Sequence, residues 1–431
     1  MARPAAGAGR QAQVAGLLLT ALLGACANQG EPPGGPPDKA APRIVRVVPE
    51  SGTVVAGFKG DAVIQFDEVI DEVAGGGGGG RGGGRPLAGL ARQIVLSPVA
   101  GAVKVSWHRS SIHVKPAEGW KPQRVYHLEL LPGIVDLQRN VMKQGASVVF
   151  STGPPLPHAT LAGTTLLWVE QRVLAQAVIR AAPLPDTVAY ATVADSGGDF
   201  HLTDIPSGRY LVWAIQDQNN NRELDRREAF DSATIAVDSA ASLVLWPFVH
   251  DTAGPRVRSV EPVDSVAFTV TFSQPLDPHR PPDTARVRLY ALPDTTPVAV
   301  RALFAPAEYD SLQARARAVV DSLRRLRDTT ARDTARVRPA PPAAAARRAP
   351  AAARGAAPPA SDTSKLRRLL AQRPVPFDRL VVQVAQPLAP GAKYLVRVRG
   401  ATNLAGATAD AQGVLAVPAP KPAARDTTRS P

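Results

Sequence analysis

The chain has one cysteine and two methionines among 431 residues, and aromatic side chains make up only 5% of it. One cysteine excludes a disulfide framework, so stability has to come from packing or from a metal. Long apolar runs are also missing. The longest near the N-terminus, Val14 to Leu23, falls short of the about 20 residues a spanning helix needs. Seven histidines (His108, His113, His127, His158, His201, His250 and His279) are scattered without His-Glu-x-x-His spacing, which removes the common zinc hydrolase pattern. No Gly-x-Ser-x-Gly elbow occurs, and Pro49-Glu-Ser51-Gly reads as a turn. The glycine run Gly75 to Gly84, broken only by Arg81, has no Lys-Ser/Thr after it. It reads as an expanded loop and not as a phosphate cradle.

What is abundant is proline (42), glycine (35) and positive charge (+13). That much Pro and Gly is too much for one compact fold; with this length it implies two to four domains joined by linkers and low-complexity insertions. Hydrophobic content of 45% allows sizeable cores. The charge is uneven. Phe304 to Pro374 carries 15 Lys/Arg against 6 Asp/Glu, a net +9, while the rest is close to neutral. No basic stripe with interleaved aromatics exists, so nucleic acid is not the expected partner. The basic segment is either a solvated linker or a contact for anionic headgroups or polymers.

The N-terminus has the order of an export signal: Arg3 and Arg10, the apolar run, then Leu23-Gly24-Ala25-Cys26. This ending resembles the lipobox of bacterial lipoproteins. The resemblance implies removal of residues 1–25 and covalent lipid on Cys26, the first mature residue. The alternative is a secreted protein with an incidental cysteine. Ala27 stands where an Asp is associated with inner-membrane retention, so the resemblance leans toward the outer membrane. Residues 26–38, rich in Pro and Gly, read as a flexible tether.

From Pro42 the pattern becomes short runs of period two bounded by Gly, Pro, Asp or Ser: 43–48, 62–66, 93–96, 103–107, 111–114, 125–130 and 146–150. These read as half-buried antiparallel strands of a sandwich. The segments PRIVRVVPESGTVVAG, AVIQFDEVID, YHLELLPGIVDLQRN and VVFSTG resemble the SbsA-type bacterial Ig-like domain, over 39–153. Residues 158–249 read as a second β domain with strands at 160–168, 173–181, 187–194, 200–205, 209–216 and 232–237. Gly198-Asp-Phe200 followed by Ile205-Pro-Ser-Gly208-Arg-Tyr210 is similar to the hairpin signature of carboxypeptidase-regulatory-like (transthyretin-like) modules, which carry no peptidase chemistry. Phe200 and Tyr210 would be core residues on facing strands. Residues 255–418 echo the first domain: PRVRSVEPVDSVAFTVTFSQPLD and LAPGAKYLVRVRGATNLAGA follow its opening and its sixth-strand region. This second Ig-like domain is split by the basic insertion 304–374. There Ala307 to Arg327 predicts a helix with Leu312, Val319, Leu323 and Leu326 on one side. Asp328 to Ala360 and the tail 419–431 have disordered composition, and Ser364 to Gln372 predicts a helical turn or two. The fold class expected is all-β, tandem antiparallel sandwiches with a short helical insert.

Two constellations could carry chemistry. Asp217, Asn219, Asn221, Glu223, Asp225 and Glu228 place oxygens at positions one, three, five, seven, nine and twelve, the register of a calcium loop. Position six is Arg222 where an EF-hand needs glycine, and strands flank the loop. The alternative is a polar turn in which Asx side chains cap their own backbone. Asp67, Glu68, Asp71 and Glu72 cluster at a strand end. As catalytic acids they would have to line a cleft; otherwise they are exposed loop charge. Trp107, Trp120, Trp168, Trp213 and Trp246 read as core anchors, not sugar platforms. The sequence thus predicts a non-catalytic, lipid-anchored envelope protein presenting sandwich modules to a protein or glycan. The rival is an envelope hydrolase or accessory subunit using the Asp67–Glu72 acids.

Overall fold

The structure, a computed structural model, describes residues 38–72, 89–332 and 360–419. The lipobox, the glycine run and residues 333–359 of the insertion lie outside these residues.

The first sandwich is built from β1 (Ile44–Val48), β2 (Ala62–Phe66), β3 (Ile94–Ser97), β4 (Val103–His108), β5 (Ser111–Pro116), β6 (Val125–Leu130) and β7 (Ala146–Ser151). One sheet has the order β1-β2-β5-β4 and the other β3-β6-β7. Period-two patterning makes the core: Ala62, Ile64 and Phe66 of β2 are buried and the residues between them are not. They meet Ile112, Val114, Tyr126, Leu128 and Phe150 from the strands around them. Each fully buried side chain of this size contributes about 1.5–3 kcal/mol.

The middle sandwich comprises β8 (Ala159–Leu167), β9 (Arg172–Val173), β10 (Val178–Pro183), β11 (Tyr190–Val193), β12 (Asp199–Ile205), β13 (Gly208–Ile215), β14 (Ala229–Val237), β15 (Ala240–Leu245) and β16 (Phe248–Val249). Its sheets run β11-β10-β13-β14-β16 and β12-β8-β15. Phe200 and Tyr210 are both buried in one core, as expected, but β12 and β13 lie in opposite sheets and do not pair as a hairpin. Two features depart from the sequence reading. The single strand expected over 173–181 is broken into β9 and β10, because Gln176 turns through a positive φ of 56°. β15, not anticipated, pairs parallel to β8, the one parallel ladder among the described residues.

The third sandwich contains β17 (Val257–Pro262), β18 (Ala267–Leu276), β19 (Val287–Ala291), β20 (Thr296–Val298), β21 (Val300–Phe304), β22 (Phe377–Val384), β23 (Lys393–Thr402) and β24 (Thr408–Ala416). Its sheets, β17-β18-β22-β21 and β20-β19-β23-β24, repeat the first sandwich with one added strand. The details recur as well. The β1–β2 ladder bulges at Ile44/Arg46 and the β17–β18 ladder at Val257/Ser259. Ile70 bridges Asp136, and Leu276 bridges Asn403. The Tyr126 hydroxyl accepts from the Lys121 amide at 2.8 Å and the Tyr394 hydroxyl from the Ala389 amide at 2.8 Å, five residues upstream in both. Where β4 and β5 are joined by Arg109-Ser110 alone, β21 and β22 are separated by the whole insertion.

Within the insertion α1 spans Pro306–Arg332 and α2 spans Ala360–Leu370. Both exceed the sequence expectation. α1 continues to Arg332, past Asp328 where disorder was expected, and α2 makes about three turns. No helix among the described residues is long and apolar enough to cross a membrane.

Candidate functional site

Of the residues that sequence reading singled out, the Asp217–Glu228 loop, Trp168 and Trp246 lie at the two junctions of the middle sandwich. The loop after β13 is closed on itself. Asp217 accepts from the amides of Asn221 (3.2 Å) and Arg222 (2.8 Å). Glu228 accepts from those of Gln218 (2.8 Å) and Asp225 (3.0 Å). The side-chain amides of Asn219 and Asn221 both donate to Asp225, and the Asn221 carbonyl takes the Glu223 amide at 2.8 Å. Asn219 and Glu228 are buried, while Glu223 is exposed. The carboxylates therefore face backbone N–H groups and side-chain amides, the arrangement of Asx turns.

Arg222, the residue that departs from a calcium loop, projects out of the middle sandwich. It has a positive φ of 59°, and its guanidinium donates to the backbone carbonyls of Ile94 and Arg92 in the first sandwich. Burial pulls its pKa down to about 10, opposed by the charges of Asp217 and Glu129; it stays cationic at neutral pH. Glu129 of β6 is held above the usual carboxylate range by burial, against the pull of the Thr192 hydroxyl and of Arg222. Thr192 donates to Glu129 at 2.8 Å, and Ser97 exchanges hydrogen bonds with the Ala191 backbone (2.9 and 3.3 Å). His127 packs edge-on to Tyr190 with ring centroids 5.0 Å apart. It is 5% exposed, its Nε2 has no hydrogen-bond partner, and burial lowers its pKa to about 4. It is neutral at pH 7. An open cleft of about 1170 Å³ runs beside this junction, with Arg92, Lys143, Arg172, Glu129 and Asp195 among its walls. Its charges are mixed, which favours no one ligand sign.

The other junction is made by the insertion. Leu366, Leu369 and Leu370 of α2 pack on Leu166, Trp168, Trp246 and Phe248, a cluster separate from the three sandwich cores. Arg373 lies over the rings of Trp168 (5.2 Å) and Trp246 (5.5 Å), and the Trp168 indole N–H donates to the Pro374 carbonyl at 3.0 Å. Lys365 bridges Asp199 of β12 at 2.6 and 2.8 Å. Burial works against the Asp199 carboxylate, but hydrogen bonds from Lys365 and Thr164 prevail and hold its pKa below the usual range. So a segment of the third sandwich is fastened across the middle one. Asn403 adds a direct tie, donating to the carbonyls of Asp251 (2.8 Å) and Ala253 (3.1 Å) in the linker. Leu369→Asp should release α2. Trypsin cleavage at Arg367 and Arg368 is then expected to accelerate at least about tenfold, since losing about 1.4 kcal/mol of local closure suffices for that.

The remaining predicted residues are placed as follows. Asp67, Glu68, Asp71 and Glu72 run along the loop after β2 and do not line the cleft beside the first junction. Asp67 accepts from the Arg43 amide at 2.8 Å. Asp38, Glu68 and Asp136 bring one carboxylate oxygen each to within 4.8 Å of the others. Burial, then the charges of Asp136, Asp38 and Asp67, raise the Glu68 pKa, while Asp136 is occupied by the Asn140 backbone and side-chain amides, both at 2.7 Å. Trp107 and Trp120 pack on the first core, whereas Trp168 and Trp246 belong to the insertion contact. Cys26 lies outside the described residues.

Residues 38–152 match the family model of the bacterial Ig-like domain. No curated protein matches the chain. Among solved structures, the chain is similar at 10% identity to the major pilin subunit BcpA of Bacillus cereus, covering 48% of this chain and 70% of that one with a TM-score of 0.17. The TIE protein of Bacillus anthracis is 12% identical, covering 68% and 52%, TM-score 0.17. The surface-layer protein SbsC is 9% identical over 89% of this chain and 55% of that one, TM-score 0.17.

Proposed function

We propose that this chain, with an Ig-like domain first and a second sandwich of the same topology last, is a non-catalytic scaffold of the bacterial cell envelope. In this reading Cys26 carries the lipid, residues 26–38 are the tether, and the middle module is transthyretin-like. The outer membrane is the expected site because Ala27 follows the cysteine. The observation that carries the reading is the closure of both junctions: Arg222 on the first sandwich, and Lys365, Arg373 and the α2 leucines on the middle one. A scaffold gains from this because sandwiches held in fixed relation present their loops and strand edges to a protein or glycan without the entropy cost of ordering them on binding. The acids of the catalytic alternative, Asp67, Glu68, Asp71 and Glu72, do not line the cleft beside the first junction.

The test is detergent phase partitioning of the chain expressed in a bacterium that processes lipoproteins. Wild type is expected in the detergent phase and Cys26→Ala in the aqueous phase, because each buried CH₂ adds about 0.8 kcal/mol and several acyl chains make release negligible. Wild type in the aqueous phase with an unmodified start overturns the reading. At the Asp217–Glu228 loop, calorimetric titration with calcium is expected to give a flat trace and an unchanged melting temperature, since Asp217, Asp225 and Glu228 each already accept two N–H bonds within the loop. Saturable heat with a raised melting temperature would assign the ion instead.

A further inference from the structure

We infer that α1 is a membrane-surface helix, with Leu312, Val319, Val320 and Leu323 seated at the acyl boundary of an anionic bilayer and Arg315, Arg317 and Arg324 on its headgroups. Its first turn is fastened to the third sandwich through Tyr309. Tyr309 is buried against Ala267 and Val381, its hydroxyl donating to Asp264 at 3.1 Å and accepting from Gln313 at 2.9 Å. From Ala314 to Arg325 every residue is exposed. The four apolar residues are 42%, 59%, 62% and 59% exposed. At about 100° per residue they fall within an arc of about 100°, the width of a stripe that ordinarily faces a core. Nothing among the described residues covers it.

The charges say what does. Arg315 borders the stripe on one side and Arg317 and Arg324 on the other, where long side chains can reach up to phosphates while their stems lie along apolar surface. Asp310 and Asp321 fall further round the helix, away from the stripe, and Glu308, which borders it, belongs to the first turn held at the third sandwich. None of the three arginines has an acidic partner within salt-bridge distance among the described residues, and the insertion as a whole carries net +9. A second copy of α1 answers this less well: parallel pairing sets Arg315 opposite Val320, with no acid to neutralise it. An anionic surface meets all three arginines and the stripe together. The contact goes beyond the scaffold reading and does not require lipid on Cys26.

The experiment uses the full chain carrying Cys26→Ala, so that no acyl group contributes, and vesicles of phosphatidylcholine with or without phosphatidylglycerol. The chain is expected to sediment with the anionic vesicles, not with the neutral ones, and to be released by salt. Arg315→Gln, Arg317→Gln and Arg324→Gln together should weaken binding about a hundredfold, at about fivefold per arginine. Val319→Ser with Leu323→Ser should weaken it at least about tenfold. All these residues are exposed, so an unchanged melting temperature certifies the variants. Equal binding to both vesicle types, or by wild type and the arginine variant, overturns the inference. So does a dimer in sedimentation velocity that the Val319/Leu323 variant dissolves while no vesicle binding is seen. If wild type proves unacylated in cells yet the Cys26→Ala chain binds anionic vesicles, the anchor fails and this contact stands.

Discussion

Arg222→Met is expected to destabilise the junction between the first two sandwiches by about 3 kcal/mol, because each hydrogen bond from a charged donor is worth about 1.5–3 kcal/mol and two are lost. The loss has identifiable parts. Two backbone carbonyls, of Ile94 and Arg92, lose their donor. Glu129, already held above the usual range by burial, loses the cation that favours its charged form. Urea unfolding followed by separate probes in each sandwich should therefore change from one shared transition to two. Adding Glu129→Gln should recover part of the loss, since the uncompensated charge goes with it. Arg222→Lys should fall between, keeping the charge but not the two-pronged reach. Coincident transitions in Arg222→Met, with an unchanged midpoint, would show that the arginine does not join the two sandwiches.

Acid should open the same junction. His127 titrates near 6.5 when unfolded and at about 4 when folded. Between those values the unfolded chain binds the extra proton, so stability rises with pH through this window and is lost as pH falls through it. At about 1.36 kcal/mol per pH unit the contribution is about 3 kcal/mol, fully present above pH 6.5 and gone at about pH 4. Glu129 acts in the opposite sense. Its folded pKa is raised, so its contribution favours the folded state at low pH and declines as pH rises through the unfolded carboxylate value. The variant His127→Leu separates the two. It should lose the stability change between pH 6.5 and 4 and be no less stable at pH 7, because the orphaned Nε2 leaves with the ring. A wild-type slope persisting in His127→Leu would place the titration elsewhere.

Period-two patterning located all seven strands of the first sandwich, because one buried face forces alternation. The echo between PRIVRVV and PRVRSV is matched by the same sheet order, the same bulge and the same tyrosine bond. Contacts between modules were not legible, since spacing reports on one element's own faces and not on what another module lays against them. Arg222 looked like a flaw in a calcium register, yet its place in the structure is the carbonyls of a strand 128 residues away. Trp168 and Trp246 read as core anchors; they are buried, but under α2 and outside the sandwich cores. His127, one of the scattered histidines, lies against Tyr190 of the middle sandwich. β15 escaped notice because Ala240-Ala-Ser242 carries little β signal, and its parallel register is fixed by β8.

In the scaffold reading the three sandwiches are held in one fixed relation. Replacing Cys26 with serine leaves the chain without thiols, so cysteines placed at the exposed Val45 and Val414 can carry two spin labels and report the span from the first sandwich to the third. Pulsed dipolar spectroscopy should give one narrow distance distribution, broadened by Arg222→Met or Leu369→Asp. A broad distribution in the otherwise wild-type chain would contradict the account.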